Sequence, residues 1–108
     1  MSISNISWRT PWRAIRFAAE VPGVQAQLEI EITPKHPLFG RHAIVVGCRI
    51  DCDDVLVRLK DDTYANVHLV WGRAGDDPGE YPSWFSYGGL PQFVTAMNAD
   101  AEVYGDES

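Results

Sequence analysis

Basic residues run out early in this chain. Arg73 is the last, and beyond it stand Asp76, Asp77, Glu80, Asp100, Glu102, Asp106 and Glu107, with no Lys, Arg or His among them. In all, nine Lys and Arg face fifteen Asp and Glu, a net charge of -6. A nucleic-acid binder needs a basic face to displace counterions from phosphates, which excludes DNA and RNA as the main partner. An anionic membrane surface is excluded on the same ground. Residues 1–73 are close to neutral, so the excess belongs to the C-terminal third. It reads either as a solvated acidic segment or as a face that attracts a basic partner.

Long apolar runs are missing too. Ala43 to Cys48, the longest uncharged apolar run near the middle, is far too short to cross a bilayer. No basic segment followed by an apolar stretch opens the chain, so the cytoplasm is the expected compartment. Cysteine is limited to Cys48 and Cys52. Spaced C-x-x-x-C in one strand, they would sit about 13 Å apart, well beyond the ~7 Å that a disulfide spans. They read as two buried free thiols, which suits a reducing compartment. His36, His42, Cys48 and Cys52 lack the tight pair spacing of structural zinc. There is no G-x-S-x-G, and the glycine-rich stretch 72–79 carries Asp76 and Asp77, a poor cradle for phosphates. No cofactor and no metal are expected.

What is present suffices for one domain. The chain has 108 residues, 45% hydrophobic and 22% charged, an ordinary globular composition. Residues 1–9 and 99–108 read as loosely ordered ends. Thr10-Pro11 looks like a helix start, and Trp12, Ile15, Ala18 and Ala19 share a helical face, which predicts a helix over 11–20. Residues 24–32 are open. Val24, Ala26, Leu28, Ile30 and Ile32 alternate as in a strand, yet Val24, Leu28 and Ile32 also repeat at four. Gln, Ala, Leu and Glu lean the same stretch towards helix.

The centre predicts three consecutive strands, His42 to Cys52, Val55 to Lys60 and Thr63 to Trp71, joined by Asp-rich turns and therefore antiparallel. Ala65, Val67, Leu69 and Trp71 take the core face of the third, opposite Tyr64, Asn66 and His68. Residues 72–83 read as a long loop, and Pro91 opens a short helix with Leu90, Phe93, Val94 and Met97 buried. The expected fold class is α+β: a three-stranded antiparallel meander packed against flanking helices, with its other face open.

From Pro34 onward the chain resembles a group of small bacterial proteins to which no activity is assigned. The likeness rests on His36-Pro37-Leu38-Phe39-Gly40, Asp51-Cys52-Asp53-Asp54-Val55-Leu56, Val67-His68-Leu69-Val70-Trp71, Glu80, Pro82-Ser83-Trp84, Phe93 and Met97. It covers about two-thirds of the chain and leaves out the first twenty residues. Val70 departs from the group, which has Thr there. The resemblance implies a shared fold, tips residues 24–32 towards helix, and implies no activity, substrate or cofactor.

Two kinds of chemistry remain. Asp51, Asp53, Asp54, Asp61 and Asp62 gather at two turns, but Leu56 stands where a calcium loop needs Gly and Asp62 where it needs Glu. Turn formation is the better reading. Tyr64, Asn66 and His68 make a row of hydrogen-bonding groups on the face away from the core. Trp84, Phe85 and Tyr87, between glycines, read as anchors for a partner. These six are the candidate binding residues, and no catalytic set is assigned. The leading expectation is a non-enzymatic protein-interaction or immunity-type module whose partner is a basic protein. The alternative is a small enzyme or ligand-binding domain centred on His68 with Asp53 or Asp54. A homodimer through the aromatic segment is a third.

Overall fold

The computed structural model describes residues 6–15, 20–34, 36–69 and 83–104. Its elements are β1 (Trp12–Ala14), α1 (Glu20–Glu31), β2 (Ile44–Arg49), β3 (Asp54–Arg58), β4 (Tyr64–His68), β5 (Ser83–Gly88) and α2 (Leu90–Tyr104). The five strands form one antiparallel sheet in the order β1-β2-β3-β4-β5. This corrects the expected three-stranded meander, because a further strand is added at each end.

The first addition stands at Trp12–Ala14, where a helix was expected over 11–20; residues 16–19 of that span lie outside the described residues. Trp12, Arg13 and Ala14 pair with Arg49, Cys48 and Gly47 of β2, after a turn in which the Trp12 N–H donates to the Arg9 carbonyl at 2.8 Å. Trp12 is 2% exposed, so burial of its indole has overridden local helix propensity. The second addition places Ser83, the end of the expected loop, and the aromatic segment of Trp84, Phe85 and Tyr87 in β5. Residues 70–82, which hold the rest of that loop and the expected end of the third strand at Trp71, lie outside the described residues.

The open face is also corrected. Leu28 of α1 packs with Val45, Val55, Val57, Ala65 and Val67 on one side of the sheet. Phe93 and Met97 of α2 pack with Val46, Leu56, Tyr64 and Trp12 on the other. The alternation of Val55 and Val57 against Leu56 thus serves two cores, one under each helix. Helices from both ends do not share a face. They sandwich the sheet.

Residues 24–31 are helical, within α1, and Ile32 follows its end. Pro22 falls in its first turn, where a missing N–H breaks no helical bond. Gln25 donates to Glu29 at 3.0 Å and Gln27 to Glu31 at 2.6 Å, the i,i+4 geometry of a helix. At the other end α2 runs on to Tyr104 with Ala101 buried, past the frayed end expected from residue 99. In β2 a bulge between Val45 and Gly47 breaks the expected alternation, and Val45 and Val46 serve opposite cores.

Candidate functional site

With both faces of the sheet covered, chemistry is left to the rims. The candidate residues separate accordingly. Tyr64 and Asn66 are 5% and 4% exposed, buried under α2. Trp84 packs against the α1-side core, its ring 6.4 Å from that of His36. Tyr87 is half-buried and edge-on to Phe93 at 5.1 Å. His68 and Phe85 are exposed. Of the six, two are exposed, two half-buried and two buried.

Four polar groups nevertheless join across the sheet. His68 Nδ1 lies 2.6 Å from Asp54 Oδ1, its register partner on β3. Asn66 Nδ2 donates to Asp54 Oδ2 at 3.1 Å and to the Tyr87 hydroxyl at 3.2 Å. Both Asp54 oxygens are therefore occupied, and the carboxylate is held in one orientation. Burial pushes the Tyr87 phenol above its ordinary value, against the pull of the Asn66 N–H. Nδ1 is engaged, so Nε2 is the ring nitrogen of His68 left to meet solvent or a ligand.

Asp51, Asp61, Asp62 and Asp100 serve the fold. Arg49 grips Asp51 through Nε and Nη2, both at 2.8 Å, and its Nη1 lies 3.4 Å from Asp100. The Trp12 indole N–H donates to the same Asp100 oxygen at 2.9 Å, so one carboxylate fastens α2 to β1 and β2. The Asp51 hydrogen bond lifts the Arg49 guanidinium well above its usual value, and the reciprocal bond lowers Asp51. Asp61 caps its own turn through the Thr63 hydroxyl and N–H, which lower its carboxyl. Asp62 adopts a positive φ and accepts from Arg58 Nε at 3.0 Å. These are turn roles. Among the described residues no three His, Cys, Asp or Glu side chains gather as they would around a metal ion.

The cysteines depart from expectation. Cys52 is exposed and Cys48 half-buried, and neither is in a disulfide. Partial burial of the Cys52 sulfur and the Asp54 charge push its thiol up, against an Asp54 backbone hydrogen bond that lowers it. Alkylation at neutral pH is expected to reach Cys52 before Cys48, yet more slowly than a free cysteine. Peptide mapping after brief iodoacetamide treatment checks the order, and modification of Cys48 first would contradict it.

A second rim feature lies on the α1 side. A groove of about 320 Å³ runs between α1 and residues 38–44. Leu28, Ile32, Leu38 and Ala43 contribute to it, and Phe39 and Ile44 line it while 54% and 52% exposed. Local hydrogen bonding builds it. The buried His36 accepts the Leu38 N–H on Nδ1 at 3.1 Å, and turns close from His36 to Thr33 and from Phe39 to His36. Gly40 and His42 have φ of 81° and 56°, which turn the chain back into β2. Gln25 pairs its carboxamide with the Ala43 carbonyl and the Val45 N–H, tying α1 to the start of β2 as a neighbouring strand would. Sequence reasoning missed this groove. Its signal was Phe39, a large aromatic in a turn with no turn-forming role.

Comparison with protein-family models, curated proteins and solved structures gives no match. Among the described residues no helix is long and apolar enough to cross a membrane.

Proposed function

We propose that this chain is a protein-interaction module that takes an apolar side chain of a basic partner into the groove beside α1. The supporting observation is the groove itself, where Phe39 and Ile44 stay half in water beside buried Leu28 and Leu38. A large exposed aromatic at the mouth of a preformed apolar cleft is the usual form of an interface anchor point. Charge indicates the partner. Glu29 lines the groove, whose lining among the described residues includes no Lys or Arg, and the chain as a whole carries -6. Such a field attracts a cationic surface and repels an acidic one. An immunity-type role, in which the partner is a basic toxin, is one form of this reading. The cytoplasm is the compartment that goes with it.

Its test uses three immobilised baits side by side: wild type, Phe39→Glu and Glu29→Lys. A basic protein held by wild type, released by salt and lost from both variants is the expected result. Equal capture by all three, or none above a blank resin, removes the reading.

A second reading is favoured by one observation, the 2.6 Å hydrogen bond that orients His68 through Asp54. It makes the β3–β4–β5 rim a small-molecule or catalytic site. Shifts of the His68 ring protons in a screen of small neutral molecules are its expected sign; unmoved signals dismiss it.

A further inference from the structure

The row containing His68 extends one strand further. Asp54 is the register partner of His68, and His68 is the register partner of Ser83 at the start of β5. Residues directly opposite in an antiparallel sheet point to the same face, with Cβ atoms about 4.5–5.5 Å apart. Asp54, His68 and Ser83 therefore lie in line across three neighbouring strands on the α2 side. Asp54 is held from behind by Asn66, and His68 and Ser83 are both exposed.

We propose that Ser83 is an acyl-accepting nucleophile, with His68 its general base and Asp54 the carboxylate that orients the imidazole. This rests on the second reading above and names its nucleophile and substrate class. With Nδ1 held by Asp54, Nε2 is the ring nitrogen left to take a proton. The Ser83 Oγ attacks the acyl carbon of an ester, and its proton passes to His68 Nε2 as the new C–O bond forms. The ester C–O bond then breaks, and the leaving alcohol takes that proton from Nε2, which leaves acyl-Ser83. Water attacks next with the same base, giving the carboxylic acid and free serine. Asp54 stabilises the imidazolium in both halves. Asn66 and Tyr87 act through Asp54 and are positioning residues.

The surroundings select the substrate. Asp53 stands beside Asp54 in the turn, so anionic substrates such as phosphate esters are repelled. Phe85 is the next residue of β5 on the same face, is 54% exposed, and offers an apolar surface to an acyl group. A neutral ester with a small apolar acyl group and a good leaving group fits.

The test is acylation of the whole chain by p-nitrophenyl acetate, read by intact mass and peptide mapping. One acetyl group on Ser83 is expected, absent from Ser83→Ala, with His68→Gln slowing its formation by about 100-fold. Asp54→Asn is expected to slow it as well, and a circular dichroism spectrum matching wild type shows that each variant is folded. An adduct on another residue that still depends on His68 overturns the Ser83 assignment while leaving a His68 site in place. No adduct, or one that forms at the same rate in His68→Gln, overturns the nucleophile and its base together.

Discussion

Replacing Phe93 by Ala is expected to cost about 3–5 kcal/mol of folding stability. Phe93 is 0% exposed and belongs to the core that joins α2 to residues of β1, β2, β3 and β4. Its ring is edge-on to Trp12 at 5.4 Å, Tyr87 at 5.1 Å and Trp8 at 6.1 Å. Its removal forfeits the buried area and the aromatic edge contacts, and it leaves a cavity that the stiff rings around it cannot collapse to fill. Against a total stability of about 5–15 kcal/mol for a domain of this kind, the variant should be marginal. Urea unfolding followed by tryptophan fluorescence measures the loss. Val103→Ala, at a position 90% exposed on the same helix, is the control and should lie within about 0.5 kcal/mol of wild type. A Phe93→Ala loss below about 1 kcal/mol would mean that α2 does not close this face.

Gly47→Ala is the second substitution with a large expected effect, although it adds one methyl group. A Cβ at Gly47 would lie 2.7 Å from Trp8 Cζ3 and 3.0 Å from the Arg13 carbonyl oxygen. Neither neighbour can yield easily: the Trp8 ring rests on Phe93, and the Arg13 carbonyl belongs to β1. The cost is overpacking, about 1–3 kcal/mol, with the damage concentrated on the N-terminal segment and β1. Urea titration gives the size. Hydrogen exchange gives the place, with the amides of residues 8–14 losing protection before those of β3 and β4. Unchanged stability would show that Trp8 does not sit over β2.

These two positions also show what the sequence could disclose. The β3–β4 hairpin was legible because Val55, Val57, Ala65 and Val67 alternate strictly and Asp61-Asp62 is a plain turn signal. Phe93 and Met97 were legible as a buried helical pair. The partner strand of Trp12 was not, because Thr10-Pro11 followed by mixed apolar and basic residues satisfies a helix start equally well. What decides it is the pairing with Arg49 and the burial of the indole, both distant in sequence. The β2 bulge was hidden for a related reason. Gly47 is demanded by Trp8, thirty-nine positions earlier, and period-two alternation carries no sign of it. The face beneath Tyr64 and Asn66 reads as open from the sequence because both residues are polar. Their hydroxyl and amide groups do not prevent burial where partners are supplied, as Asp54 and Tyr87 supply them to Asn66.

His68 was legible as a candidate, and Asp54 as its alternative partner, because histidine on a strand face opposite the apolar set is a recognisable departure from pattern. Ser83 was not. It gains meaning only from the register of β5 against β4, which no local signal announces. The groove beside α1 was illegible until residues 24–31 resolved to a helix, since as a strand they would leave Phe39 and Ile44 with nothing to face.

The account depends on α2 sealing the second face of a five-stranded sheet, so that ligand and partner chemistry is confined to the rims. Nuclear Overhauser contacts from the Phe93 ring test this most directly. Cross-peaks to the rings of both Trp12 and Tyr87 are the expected result, since those residues come from opposite edges of the sheet. A Phe93 ring that contacts neither, with Tyr64 and Asn66 open to solvent, would contradict it.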